Sequence, residues 1–475
     1  MSTSVENAVR RPEGRPVRHR RTALPLVSLV AAAGLLGVAL AAACALAPAA
    51  GVVLLVGLPV AWWLVVRLQV AVAVLAASFF FDGYLATSTS LLSPSKLVGA
   101  LACASFGYHV LVRRRPVVLP PLTVAVAALA VWLPLSMAFA HDQEVGRQVA
   151  LRYLMLFVLC FLVLQAVAGD RRTVDLMVDV MTAAAALSAA LGLYEFLLAG
   201  AERAKGPVED PNDFAFLLAM VVPVIVYRIR WNGGRLGAVL RVLALAVVFA
   251  CILATFSRGG LVALAAAGAF AVLTRRLALR WALLALALMV LVGLAAFLTS
   301  PETVTEALDR KQHVASSNID TRYTTWALAV EQFASSPVLG VGPGNFESRY
   351  WEFALPYDLS GPPPPPHNAY LHVLAELGAP GLAMFLLYLL LGWLALTRRS
   401  GDPRTQALLS GLAAGFVVAG VGAVFLSEQY YAPFWVLPAL GATLAVREHP
   451  PGGAAPARAV PRRAAPVVAV GGGPR

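Results

Sequence analysis

The sequence predicts an all-α polytopic membrane protein of about 12–14 transmembrane helices with one long structured extracytoplasmic loop. Three observations carry this prediction. Of 475 residues, 59% are hydrophobic and 13% are charged, where a soluble chain carries about 25% charge. Apolar runs long enough to cross a bilayer alternate with short arginine-bearing gaps, which favours helices over a β-barrel. The gaps also alternate in charge, as cytoplasmic and outer loops do. The net charge of +12 is therefore spread over many gaps and not gathered on one face, which argues against nucleic acid as a partner. Cys44, Cys103, Cys160 and Cys251 lie inside apolar runs, as packing residues and not as a disulfide framework or zinc site.

Taken in order, residues 1–21 form a basic cytoplasmic N-terminus, and residues 22–298 the first set of transmembrane helices. The run from Thr22 to Pro48 is too long for the apolar part of a cleaved signal peptide and is read as an uncleaved first span. Candidate spans are 24–47, 51–66, 69–86, 96–112, 117–139, 150–168, 174–199, 213–228, 237–256, 259–274, 278–298, 380–397, 405–426 and 430–447. Arginine clusters such as Arg113-Arg114-Arg115, Arg171-Arg172 and Arg398-Arg399 mark one class of gap, while 87–95, 141–149, 200–212 and 427–430 are poor in them. By this parity both termini are cytoplasmic, and the loop over 299–379, which carries the active-site elements, lies outside. Residues 380–447 supply the C-terminal transmembrane helices, and 448–475, rich in Pro, Gly, Ala and Arg, form a disordered cytoplasmic tail.

The long loop holds structure signals of its own. Asp320 is placed to cap a helix through TRYTTWALAVEQFASS, which stops near Pro337 and puts Arg322, Trp326, Val330 and Phe333 on one face. Trp326 and Phe333 on that face suit a membrane interface. GVGPGNF, over 340–346, lacks the strand and helix of a dinucleotide fingerprint and reads as a tight Gly-Pro-Gly turn. In GPPPPPHNAYLHVLAELG, five prolines form a stiff spacer ahead of His367. Asn368 is a good cap for a helix over 369–377 ended by Gly378, with Asn368, His372 and Glu376 along one polar edge. His367 then stands over the positive end of this helix, which attracts phosphate and keeps an imidazole neutral and competent as a base.

Arg258, in FSRGG, falls at an outer helix boundary beside two glycines that allow close approach. Arg258, Arg322 and the helix start thus outline an outward-facing anion site with a base beside it. His372 is read as a structural partner of Glu376. In KGPVEDPNDFAF, Asp210, Asn212 and Asp213 offer possible metal ligands, but no second cluster matches them, and capping by Asn212 or Asp213 is the expectation, with no metal site.

PNDFAFLLAMVVP, TFSRGGLVAL, RYTTWA ending in SSPVLGVGPGNF, and HNAYLHVLAELGAPGL occur in this order over about residues 211–381. Together they resemble the O-antigen ligase and O-antigen polymerase superfamily of polytopic membrane glycosyltransferases. The resemblance implies transfer of a glycan from an undecaprenyl diphosphate carrier to an acceptor hydroxyl on the outer face of the bacterial cytoplasmic membrane, without cofactor or metal. It implies that His367 is catalytic and that Arg258 and Arg322 bind the diphosphate; Asn368, Glu376 and Asn212 are read from cap and helix spacing as supporting residues. The partners implied are a lipid-linked glycan donor, a glycan or glycolipid acceptor, the bilayer, and flippase and chain-length proteins. The five prolines ahead of His367 depart from the family pattern. The alternative is a transporter or lipid-glycan flippase without transferase activity; it calls for charge inside the spans, which is scarce apart from Glu195.

Overall fold

Inside hydrocarbon, every backbone N–H and C=O must be satisfied within the protein, and a helix does this within its own segment. The computed structural model accords with that constraint: all regular elements among its described residues are helical. It describes residues 48–81, 94–168, 170–208, 210–231, 234–275, 321–354 and 363–448, with isolated positions between 287 and 298. The basic N-terminus, the expected span 24–47, most of the expected span 278–298, Asp320 and the tail beyond 448 lie outside the described residues.

The chain divides into two units, 1–63 and 64–475. The described part of the first is the body of α1 (Pro48–Val65), an apolar helix with Pro59 inside it. In the second unit, α2 (Leu68–Ser78), α3 (Pro94–Gly107), α4 (Pro121–Met137), α5 (Gln143–Val167), α6 (Arg171–Leu197), α7 (Pro211–Arg230), α8 (Arg235–Ala254) and α9 (Arg258–Leu273) come first. A helix over 321–335 (α10) follows, then α11 (Asn345–Ser348), α12 (Tyr350–Ala354), α13 (Ala369–Thr397), α14 (Pro403–Gly422) and α15 (Ala432–Glu448). Seven described helices are long and apolar enough to cross a membrane: α3 with its extension to Val112, α5, α6, α7, α8, α13 and α14. Helices α4, α9 and α15 are apolar but shorter.

Short polar side chains start these helices. Asp142, Asp170, Asp210, Asn368 and Asp402 each accept two backbone N–H groups from the first turn of α5, α6, α7, α13 and α14. Such caps satisfy donors that have no partner within the helix. The cap of α7 corrects the expectation of Asn212 or Asp213. Pro211 occupies the first helical position, where its missing N–H costs nothing, so the cap falls one residue earlier, at Asp210.

α14 runs along α7 and α9, α8 lies against α6 and α7, α15 follows α5, and α13 packs on α4 and α15. Small residues let α14 approach closely: a Cβ on Gly415 would stand 2.5 Å from the Met220 carbonyl oxygen. Between α13 and α15 the rings of Phe385 and Phe434 stack at 5.7 Å, and the Tyr388 hydroxyl donates to the Phe434 carbonyl at 2.9 Å.

Charge is less scarce inside the expected spans than the composition implies. Asp175 and Asp179, within the expected span 174–199, pair with Arg228, Arg241 and Arg404. Arg171 joins them, bonding Asp402 at 2.8 Å and the Tyr227 hydroxyl at 2.9 Å. This lattice ties α6, α7, α8 and α14 together at the end of the bundle where α6 and α14 begin. The opposite end, where α7 and α13 begin, carries His367 and Arg322.

Candidate active site

A glycine-rich turn frames the site. Gly340, Gly342 and Gly344 have φ of 72°, 98° and 71°, values that glycine adopts without steric cost. The turn is bound to α13 through main-chain atoms: Val341 N donates to the Ala375 carbonyl at 2.9 Å and Gly342 N to the Glu376 carbonyl at 3.0 Å. α13 breaks at Gly378 (φ 69°, ψ −174°), so residues 369–377 form a short helix distinct from the long apolar stretch that follows. A Cβ on Gly378 would lie 2.2 Å from the Val338 carbonyl oxygen, and one on Gly340 would lie 2.2 Å from that of Glu376. The helix over 369–377 and the tight turn over 340–344 both match the sequence expectation.

His367 precedes the Asn368 cap, whose Oδ1 accepts from Tyr370 N at 3.0 Å and Leu371 N at 3.1 Å. Its φ is 48°, an uncommon value for a residue with a side chain. Strain of this kind persists only where the surroundings impose it. Here Trp326 Nε1 donates to the Pro366 carbonyl at 2.9 Å on one side, and Ala369 N bonds the carbonyls of Ala423 and Leu426 on the other. Burial lowers the imidazole from 6.5 to about 4, with the Arg322 guanidinium acting in the same direction and Asp210 against it. The imidazole is therefore neutral at pH 7.

Arg322, on the first turn of α10, is half-buried; burial lowers its guanidinium below the ordinary value, and Asp210 opposes the shift. Asp210 thus lies within electrostatic reach of both Arg322 and His367. It acts on Arg203 too, a half-buried arginine that bonds the Thr255 carbonyl and Asn212. Arg258 is the first residue of α9, whose cap is Ser257. It is exposed, and its side chain makes no hydrogen bond or ion pair among the described residues. Arg322, His367 and Asp210 therefore form one cluster, with Arg258 joined to it through Arg203 and the turn before α9.

The buried face of α10 is Thr325, Leu328, Ala329 and Gln332, beside the Arg322–Trp326–Val330–Phe333 face that the sequence suits to a membrane interface. Leu328 and Ala329 join Phe346, Tyr350, Ala354 and Ala375 in a small core of their own beneath the loop. Trp326, which the sequence suits to a membrane interface, holds the segment that carries His367 through its bond to the Pro366 carbonyl.

His372 and Glu376 are both buried and meet at 3.0 Å (Nε2 to Oε1), as the four-residue spacing predicts. Ser427 Oγ lies 2.9 Å from His372 Nδ1, and Glu376 Oε1 accepts from Phe346 N at 3.3 Å. His372 is thus occupied on both ring nitrogens. Asp213 accepts from the Tyr431 hydroxyl and Asn212 from Arg203, so both side chains have protein partners. No group of three His, Cys, Asp or Glu able to hold a metal occurs among the described residues.

Residues 243–386 match the family model described as O-antigen ligase. This part of the chain is similar to the O-antigen ligase family. The O-antigen ligase region begins within α8 and ends in α13 beyond the Gly378 break, and it takes in Arg258, Arg322, His367, Asn368 and Glu376; Asp210 and Asn212 lie before it. The match supports an O-antigen ligase-type role in polysaccharide assembly for a multi-pass membrane protein. No curated relative matches the chain. Sequence reasoning passed over Trp326 as a clamp and Arg203 altogether. The available signal for Arg203 is its place as a lone arginine in a gap otherwise poor in arginine.

Proposed function

We propose that the protein transfers a glycan from a polyprenyl diphosphate carrier, of the undecaprenyl type, to an acceptor hydroxyl on the outer face of the bacterial cytoplasmic membrane, as a polymerase or ligase. The observation that carries this is a neutral, strained His367 at a helix start, beside the half-buried Arg322, within an O-antigen ligase match. The alternation of arginine-rich and arginine-poor gaps supports an outward-facing site and cytoplasmic termini.

His367 takes the proton of the acceptor hydroxyl as its oxygen attacks the anomeric carbon. The new C–O bond forms as the bond from that carbon to the diphosphate oxygen breaks, and the bonding pair leaves on the diphosphate, with inversion. Arg258 and Arg322 hold the diphosphate and stabilise the charge it gains, through forked, charge-assisted hydrogen bonds. A diphosphate is already a good leaving group, so the second carboxylate of a glycosidase pair has no task here. Asn368 and Glu376 support the catalytic helix, and Asn212 supports the entry to α7.

The test is a transfer assay. Purified protein in lipid nanodiscs receives an undecaprenyl diphosphate-linked glycan and an acceptor glycan, and release of undecaprenyl diphosphate is followed with product length. Stoichiometric release with extended product is expected. Carrier movement across a vesicle bilayer without transfer would favour a flippase instead.

A further inference from the structure

The turn that launches α9 has to present Arg258 at a fixed angle. The chain leaves α8 at Thr255, passes Phe256 at φ 49°, and re-enters a helix at Ser257–Arg258. Some of its bonds are local: Ser257 N donates to Thr255 Oγ1 at 3.2 Å, and Gly260 N to Ser257 Oγ at 3.3 Å. One strong bond comes from elsewhere in the sequence. Arg203 Nε donates to the Thr255 carbonyl at 2.7 Å, while its Nη2 donates to Asn212 Oδ1 at 3.0 Å.

Three facts make this bridge more than a surface contact. The Thr255 carbonyl is at the negative end of α8, where a guanidinium is favoured. The neighbouring Ala204 is fully buried, and its N–H bonds the Ala254 carbonyl at 3.0 Å, so the backbone under Arg203 is fixed. The first turn of α9 also sits tightly on α7: a Cβ on Gly260 would be 3.0 Å from that of Ala215, and one on Gly259 would be 3.2 Å from the Phe216 ring. Arg203 thus spans the two helix ends, α7 and α8, between which the Arg258 turn is wedged.

We infer that Arg203 is a positioning residue for the donor site, acting through the Thr255 carbonyl and Asn212 to set the direction in which Arg258 meets the carrier diphosphate. The inference rests on the diphosphate role proposed above for Arg258. A lysine cannot replace it, because one ammonium on a flexible stem does not bridge two acceptors in the plane of a fork.

Two measurements on the full-length protein in nanodiscs decide the matter. Amide hydrogen exchange reads the positioning directly. Arg203→Ala and Arg203→Lys should each speed exchange over residues 255–262 and leave 150–167 unchanged. Unchanged exchange over 255–262 in both variants overturns the inference, whatever Arg258 does; faster exchange throughout the chain, in place of a local effect, overturns it too.

The second measurement is binding of undecaprenyl diphosphate in a double-mutant cycle. Arg203→Ala should weaken binding about 10- to 100-fold, the scale that misplacement of a binding group produces, and should have little further effect once Arg258 is alanine. Additive losses would make Arg203 a direct anion contact and overturn the positioning role. If Arg258→Ala alone bound carrier normally, the diphosphate assignment of Arg258 would fail, while the exchange result would still decide whether Arg203 fixes the turn.

Discussion

The indole N–H of Trp326 reaches across 40 residues of chain to the carbonyl of Pro366, the residue before His367, at 2.9 Å. One tryptophan thereby fixes the end of the proline spacer against α10. Trp326→Phe keeps most of the ring and removes the bond. A neutral hydrogen bond has a net worth of about 0.5–1.5 kcal/mol, so turnover should fall by about 2- to 12-fold with the folded fraction unchanged. Turnover equal to the parent would show that the prolines hold His367 unaided.

His367→Ala should reduce turnover by about 10²–10⁴-fold, the usual worth of general-base help, while carrier binding stays nearly intact. Product formation and binding are measured on the same preparation. Lost binding with retained turnover at saturation would make the histidine a phosphate contact, and Glu347 and Glu352 of the same loop would become the candidates for the base.

Arg322→Lys keeps a charge but loses the fork, so activity should drop well below the parent yet stay above that of Arg322→Ala. Arg258→Ala should cost more than Arg322→Lys. The comparison uses kcat/KM for the lipid-linked donor. A fully active, correctly folded Arg322→Ala variant would remove that residue from the donor site.

The acid limb of kcat/KM reports the free enzyme's base and should lie near pH 4, since burial and then Arg322 hold His367 there. In Arg322→Ala the limb should move up, because one cause of the depression is removed while burial remains. Stability follows the same sign. The unfolded imidazole takes a proton near 6.5 that the folded one refuses until about 4, so this contribution is complete above 6.5 and is lost as the pH falls through that window. A limb at 6.5 would mean that the imidazole is solvated in the working enzyme.

Glu376→Ala strands His372 and the Phe346 N–H in a buried setting. Removing one partner of a buried pair costs about 3–5 kcal/mol, so the melting temperature in detergent should fall sharply. Glu376→Gln, which keeps an acceptor, should fall less. Equal melting of the alanine variant and the parent would remove the pair from the scaffold.

The sequence made the helical class, the Asn368 cap, the break at Gly378 and the His372–Glu376 pair legible, because each follows from local spacing or from one residue's backbone preference. What it hid was long-range. The buried face of α10 is decided by Phe346 and Tyr350 of the next segment, not by the helix's own periodicity. Arg203 carries no motif, and its partners lie at 212 and 255. Asp175 and Asp179 look misplaced in an apolar run until Arg228 and Arg241 fold against them. The cap of α7 was readable, since Pro211 favours the first helical position and so points to Asp210 as the cap.

The seam between the glycine turn and α13 is made of carbonyls and amides, which every residue except proline supplies. A frame joined in this way is indifferent to most side chains around it. Within the stretch that follows the turn, the positions outside the Phe346–Tyr350–Ala354 core are therefore free to change their chemistry while the helix behind His367 keeps its place.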